Sequence, residues 1–280
     1  MCSSDLATNR LEQIYRLSAM AAEGRPDVII WPEGSLPGIG QEQFRRMTSL
    51  VREAGCWWIF GGDDVETTGA STNYYNSAFL FSPEGRFVST YRKRRLVIFG
   101  EYVPLETWLP FMRWLTPIGG GFSSGPGPVD FVLGSNGPVA SPLICFEDTF
   151  PHGTREHVGD DVDFLLEITN DGWFGRSSAQ WQHAANTAFR AVENGVPLLR
   201  AANNGISCWF DAFGRLREIH ETAAEGVYGP GVRQVEVSVG NGVPGPTFYR
   251  RYGDVFGWAC VAVSGALLWT RRSRRRHSIP

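Results

Sequence analysis

The run Val28-Ile29-Ile30-Trp31, closed at once by Pro32, has no polar face. A strand of that kind belongs in a sheet covered on both sides, and it is too short for a helix. Further strands read at 56–60, ending at Gly61-Gly62, and at 74–81 and 87–91 around the turn Ser82-Pro83-Glu84-Gly85. Strands then recur at 129–133, 139–145, 163–168, 197–202, 206–211 and 232–239. Helical periodicity starts at Leu11, with Ile14, Tyr15 and Ala19 near one face, and stops at Glu23-Gly24-Arg25-Pro26. Two more helices read at 41–53, closed by Gly55, and at 181–193, closed by Asn194-Gly195. Strands, hairpins and helices in this mixture predict an α/β sandwich with sheets inside and helices outside. The stretch 116–128 is too rich in Gly, Pro and Ser for regular structure.

At 280 residues the chain is long enough for a full core. A charged fraction of 20% and a hydrophobic fraction of 42% exclude a largely disordered chain. The net charge of -3 argues against nucleic acid as a partner. Five arginines crowd into residues 271–280, so the first 270 residues carry 21 basic and 29 acidic side chains. The basic charge is a terminal tag on an acidic body. The five cysteines, Cys2, Cys56, Cys145, Cys208 and Cys260, have no CxxC spacing, which excludes a zinc site or disulfide framework of the usual pattern. No cofactor-binding signature stands out: Gly119-Gly120-Gly121 lacks the Lys-Ser/Thr of a phosphate loop. MCSSDLATNR has no apolar core and is not a signal peptide.

Residues 255–270 hold no charged side chain. Sixteen helical residues reach roughly 24 Å, short of the ~30 Å hydrocarbon layer. Length alone leaves a buried helix and a membrane span equally open. Tyr249, Tyr252, Trp258 and Trp269 near the ends, and the arginine-rich stop that follows, favour a transmembrane anchor with a cytoplasmic tail.

Three strand ends carry reactive groups. Trp31-Pro32-Glu33 puts a carboxylate just past a buried strand, where α/β folds collect their functional groups. Tyr91-Arg92-Lys93-Arg94-Arg95 is a run of four cations, one of which turned inward supplies a fixed charge for an oxyanion. Leu143-Ile144-Cys145-Phe146-Glu147-Asp148 places a cysteine at a strand-to-turn junction, a recurrent place for a nucleophile. Each feature alone has a plainer meaning: a solvated glutamate, a solvated basic face, a buried structural cysteine. His183, with no nucleophile paired to it, reads as a hydrogen-bonded structural histidine.

Read together, Glu33, Lys93 and Cys145 resemble the Glu-Lys-Cys triad of the nitrilase, or carbon–nitrogen hydrolase, superfamily. WPEGSLPG, YRKRRLVIFGEYVPLE, ICFEDTFP, TNDGWFG and AFRAVENGVPLLRAANNGIS, with the apolar C-terminal run and basic tail, resemble its apolipoprotein N-acyltransferase family from about Leu11 onward. The resemblance implies a nitrilase-like α-β-β-α sandwich. It implies Glu33 as general base, Lys93 as oxyanion stabiliser and Cys145 as nucleophile, with Glu101 and Glu147 as supporting acids. Trp31 and Phe146 would adjoin the substrate, and Phe146 stands where the family commonly has Tyr. The implied reaction is acyl transfer from a phospholipid, through a cysteine thioester, to the N-terminal amine of a lipid-modified cysteine on an apolipoprotein. The implied location is the bacterial inner membrane, with the catalytic domain on the periplasmic side.

The family usually begins with several transmembrane helices and a first strand that do not match here. The expected division is therefore 1–10 unassigned, 11–247 catalytic without its first strand, 248–270 anchor and 271–280 cytoplasmic tail. A sheet edge near the N-terminus is expected to be exposed. Phe111, Met112, Trp114, Leu115 and Phe122 form an apolar stretch expected to act as a lid at the membrane surface. The competing readings are a soluble nitrilase-type amidase and a catalytically dead binding module.

Overall fold

The computed structural model describes residues 3–36, 41–69, 71–105, 108, 111, 121–240 and 245–276, with only the backbone given for 3–9 and 273–276. The elements are α1 (Ser3–Glu23), β1 (Val28–Ile30), α2 (Gln41–Ala54), β2 (Trp57–Thr68), β3 (Ser71–Phe81), β4 (Phe87–Arg92), β5 (Phe131–Val132), β6 (Val139–Ile144), α3 (Pro151–Glu156), β7 (Phe164–Asn170), α4 (Ala179–Asn194), β8 (Leu198–Asn203), β9 (Cys208–Phe210), β10 (Leu216–Ile219), α5 (Phe248–Tyr252) and α6 (Val255–Arg276).

They form two sheets, one ordered β1-β2-β3-β4 and the other β10-β9-β8-β7-β6-β5. The inner faces meet through Ile59, Leu80 and Tyr91 of the first sheet and Phe131, Ile144, Leu166 and Ile168 of the second. Because strand side chains alternate, the neighbouring residues face outward. Trp58 and Phe60 pack with Met47 and Val51 of α2 and Tyr15 of α1. Leu143 and Leu165 pack with Ala184 and Ala191 of α4. The result is the expected α-β-β-α order of layers. Each fully buried Leu, Ile or Phe in these layers contributes about 1.5–3 kcal/mol. The helix α4 ends where Gly195 turns left-handed at φ 70° and donates to Ala191 O.

Four expectations change. Helix α1 starts at Ser3, not Leu11, so residues 3–10 join the helix rather than standing apart. Strand β2 runs through Gly61-Gly62, because β3 pairs with it continuously from Trp58↔Phe81 to Thr68↔Ser71. Residues 232–239 have no strand partner among the described residues. They are held by side-chain bonds, Arg233 to Glu218 and Gln234 to Gly24 O. The edge beside β9 is taken instead by β10, which the sequence reading missed.

The fourth concerns the transmembrane anchor. Residues 255–270 do lie in a helix, α6, but no helix among the described residues is long and apolar enough to cross a membrane. The uncharged run ends at Thr270, and Arg271 and Arg272 follow within the same helix. Its apolar side chains, including Phe256, Trp258, Leu267 and Trp269, are exposed. α6 is joined to the body through α5, whose carbonyls at Arg250 and Arg251 accept from Arg155 of α3.

Candidate active site

The three strand ends converge where the two sheets meet. The chain leaving β1 runs beside β2, with Trp31 N–H donating to Ile59 O and Leu36 N–H to Gly61 O. This lays Glu33 directly over Gly61, where a Cβ would stand 2.7 Å from the Glu33 Cα. Only glycine admits that approach. The Glu33 carboxylate, 8% exposed, then meets three donors. Asn76 Nδ2 donates to Oε1 at 2.7 Å, Asn170 N–H donates to Oε2 at 2.8 Å, and Lys93 Nζ lies 3.4 Å from Oε1.

Of the four cations in the basic run, Lys93 is the one that points inward, 1% exposed. Its N–H donates to Asn76 O, continuing the β3–β4 pairing past Arg92, and Gly125 N–H donates to its carbonyl. Arg92 turns outward to Asp64 and Glu66, and Arg94 pairs with Glu156. Lys93 Nζ donates to Glu101 Oε1 at 2.8 Å, which also accepts from Asn76 Nδ2 at 2.9 Å. Glu101 Oε2 accepts from Val97 N–H. One amide and one ammonium thus bridge two carboxylates. Burial works against charge on Lys93, but Glu33, Cys145 and Glu101 together raise it above its ordinary value and keep it protonated.

Cys145 follows β6 and opens a 3-10 turn, Cys145–Thr149, at φ 53°. A non-glycine residue in that region is strained and persists only where its surroundings over-determine it. Two consecutive acids grip the turn from opposite sides. Glu147 accepts from the N–H groups of Ile144, Arg94 and Arg95 and from the Tyr91 hydroxyl. It thereby ties the nucleophile turn to the segment carrying Lys93. Burial pushes Glu147 up, opposed in part by the Ile144 and Arg94 N–H groups, the Tyr91 hydroxyl and the Lys93 charge. Asp148 reaches the other way, to His183 Nε2 at 3.1 Å, while its carbonyl accepts from Arg190.

The Glu33 and Lys93 charges both act on the Cys145 sulfur, and the Thr169 hydroxyl of β7 favours its ionised form. Burial, with Glu33 adding to it, pushes the thiol up to about 12, against the pull of Lys93. The resting group is a neutral thiol that needs a base to react.

The other expected site residues divide. Phe146 is half-buried beside Cys145, its ring edge-on to Phe150 at 5.1 Å. Trp31 is not brought to the site. Its indole is 4% exposed, donates to Ser18 Oγ at 2.8 Å and packs against Tyr15, Trp58 and Phe60. That corrects the expectation of a substrate contact: residues 28–31 alternate, and Trp31 falls on the α1 side. Met112, Trp114 and Leu115 of the expected lid lie outside the described residues. Phe111 and Trp108 are exposed. Phe122, by contrast, is fixed, its N–H donating to Glu101 O. Asn76, Thr169 and Asn170 were missed by sequence reasoning. Asn76 lies in an ordinary strand, and only Asn170 and Thr169 fall inside a motif that stood out, TNDGWFG.

His183 belongs to a buried ionic cluster. Its Nδ1 lies 2.8 Å from Asp171 Oδ1 and its Nε2 faces Asp148, so both nitrogens carry protons. Burial opposes that charge, but the two carboxylates hold His183 up at about 10. Arg200 of β8 pairs with Glu167 and, at 2.9 Å, with Asp171 Oδ2. Asp148, Glu167 and His183 bring three ligand-type atoms within 4.8 Å of one another. The guanidinium of Arg200 already supplies the cation there, so the cluster does not fit a metal ion.

Residues 3–229 match the carbon-nitrogen hydrolase family. An apolipoprotein N-acyltransferase from Geobacter metallireducens is 43% identical over 265 residues, which are 92% of this chain and 49% of that protein. One from Chlorobaculum tepidum is 30% identical over 95% of this chain and 53% of that protein. The chain spans about half the length of these curated relatives. Among solved structures, an amidase from Nesterenkonia sp. superposes with a TM-score of 0.56 at 20% identity, over 79% of this chain and 81% of that one. A variant of the same amidase, with acrylamide added at its active-site cysteine, gives 0.56 at 19% identity, over 79% and 84%.

Proposed function

Since the chain belongs to the carbon-nitrogen hydrolase family, we propose that it is an N-acyltransferase that carries an acyl chain on Cys145 from a phospholipid to the N-terminal amine of the lipid-modified cysteine of an apolipoprotein. The convergence of Glu33, Lys93 and Glu101 around the strained turn of Cys145 carries the reading. The naming of relatives at 43% and 30% identity supplies the substrate class.

In the first half-reaction Glu33 takes the thiol proton as the Cys145 sulfur attacks the ester carbonyl of the phospholipid. The Lys93 ammonium and a backbone N–H of the nucleophile turn hold the tetrahedral oxyanion. The C–O bond breaks, the lysophospholipid oxygen takes the proton from Glu33, and a thioester remains. In the second half the acceptor amine attacks the thioester carbonyl and gives its proton to Glu33. The C–S bond breaks, and the proton returns to the sulfur. Thioesters suit this role because thiolate is both a strong nucleophile and a good leaving group for an amine. Asn76 and Asn170 hold Glu33 in place, and Glu147 fixes the turn against the Lys93 segment. Phe146 lines the approach to the sulfur. Exposed Ile98, Leu105, Trp108, Phe111 and Trp173 offer apolar contact to a lipid surface, consistent with work at the bacterial inner membrane.

The test is to incubate the protein with phospholipid vesicles and examine the Cys145 peptide by mass spectrometry. An added acyl mass that disappears on addition of a diacylglyceryl-cysteine peptide is the expected result. No adduct, together with hydrolysis of small amides, overturns the reading in favour of an amidase.

A further inference from the structure

One hydroxyl sits between the nucleophile and the buried ionic cluster. In the parallel pairing of β6 with β7, Ile144 stands opposite Ile168 as the last pair, and Cys145 and Thr169 are the next residues on the two chains. Thr169 is fully buried. Its Oγ1 lies 3.2 Å from Asp171 Oδ1, to which it donates, and the same hydroxyl favours the ionised form of Cys145. A hydroxyl has one proton and can serve only one of these acceptors at a time.

Asp171 does not depend on that proton. Its Oδ1 also accepts from His183 Nδ1 at 2.8 Å and its Oδ2 from Arg200 Nη2 at 2.9 Å. Losing the longer Thr169 bond leaves its carboxylate paired with two cations. The sulfur is in the opposite position. Once deprotonated it faces Lys93 on one side, but also the negative charges of Glu33 and Glu167. A donor turned toward it is worth more there than at Asp171, since the Asp171 charge is already matched by two cations and the thiolate charge by one, with two carboxylates opposing it.

We propose that Thr169 is a further residue of the reaction, whose hydroxyl rotates from Asp171 to the Cys145 sulfur as the thiolate forms and back as the thiol is restored. The Asp148–His183–Asp171–Arg200–Glu167 cluster makes the rotation cheap by holding Asp171 with cations of its own. No bond to carbon changes and no proton leaves the oxygen; only the torsion of the hydroxyl differs. The same cluster gives a role to the NDGWFG motif and to His183 and Arg200, which the acyl-transfer steps leave unused. The inference rests on Cys145 as nucleophile but not on the identity of the acyl donor.

The experiment is alkylation of Cys145 by iodoacetamide as a function of pH, read on the Cys145 peptide of the intact chain so that the other cysteines do not interfere. Thr169→Val keeps the shape and removes the hydroxyl. It is expected to slow alkylation about tenfold at neutral pH, equivalent to one unit of thiol pKa. Thr169→Ser is expected to restore the rate to within threefold. His183→Gln, which leaves Asp171 more dependent on the hydroxyl, is expected to slow alkylation severalfold in a chain that still has Thr169, with no further effect in Thr169→Val. A Thr169→Val protein that alkylates within twofold of the parent overturns the proposal, as does failure of Thr169→Ser to restore the rate. If Thr169→Val does not fold, His183→Gln still decides: a parental rate there overturns the proposal. Alkylation that behaves as expected in a protein that forms no acyl adduct would remove the acyltransferase reading and leave this one standing.

Discussion

Gly61→Ala puts the placement of Glu33 under direct test. The backbone at Gly61 is ordinary strand, so alanine fits its torsions. The added Cβ does not fit its surroundings. It would lie 2.7 Å from Glu33 Cα, and 3.0 Å from both Gly34 N and Ile168 Cδ1, where ordinary contact begins at 3.4 Å. The shortfall of about 0.7 Å is against backbone on one side, which cannot rotate away. Relief requires the 31–36 segment to lift from β2, carrying Glu33 from Asn170 N–H and from Lys93, which is already 3.4 Å away. A misplacement near 1 Å costs on the order of 10²-fold in rate. The expected loss is therefore about 10–100-fold in thioester formation, or about 1.4–2.7 kcal/mol of barrier. Overpacking should also cost ~1–3 kcal/mol of stability. The assay is single-turnover acylation of Cys145, paired with a thermal melt. Gly127→Ala is the control, since a Cβ there meets nothing within 4 Å. Acylation of Gly61→Ala within threefold of the parent would refute the claim that this contact sets the position of the base.

Two further outcomes follow from the same geometry. Lys93→Met removes the oxyanion cation and leaves Glu33 and Glu101 facing one another through Asn76 alone, so thioester formation should fall about 10²–10³-fold; a monomeric, folded variant acylated at the parental rate would show that Lys93 is not the stabiliser. His157 is buried against Tyr91, and burial, with Arg94 nearby, depresses it to about 4. The unfolded chain, with its histidine near 6.5, takes up this proton first, so the stability tied to His157 is complete above pH 6.5 and lost as pH falls toward 4. Melting temperatures from pH 7 to 4 should drop less steeply in His157→Gln than in the parent, and parallel slopes would count against it.

Much of the site was legible because chemistry gathers at strand ends. The short runs before Glu33 and Cys145 mark their strands through β-branched and apolar residues, and the turn after each is explicit in the sequence. Lys93 stood among four cations, and composition alone does not say which one turns inward; the register of β4 does, by alternating Tyr91 into the core and Arg92 out. Asn76 was invisible for a related reason. Its neighbours Tyr75 and Ser77 are equally polar, so period-two patterning assigns it no face, and only the β3–β4 pairing brings it beneath two carboxylates. Trp31 misled because sequence proximity to Glu33 suggested a shared site, whereas Trp31 still follows the β1 alternation and turns its ring toward α1, and Glu33 lies beyond Pro32 in the turn after the strand. The glycines at 61 and 62 read as a stop because isolated glycine weakens a strand. Here a close backbone approach uses the missing Cβ, and pairing with β3 carries the strand through. The apolar C-terminal run misled in its turn, because the flanking aromatics and arginines suggested a span that the run itself is too short to make.

The bond set of Glu147 bears on the order of events when the chain folds. Its carboxylate accepts from Ile144 within its own turn and from Tyr91, Arg94 and Arg95 on the side of the first sheet, so three of its four donors reach it only once the two sheets have docked. The base and the cation arise from residues 33 and 93, and the thiol from residue 145. During synthesis the first sheet can therefore close with Glu33 and Lys93 paired long before any sulfur is present. The cysteine arrives later on a turn that takes its strained shape only when gripped from both sides. Catalytic competence is therefore a property of the docked sheets rather than of either half.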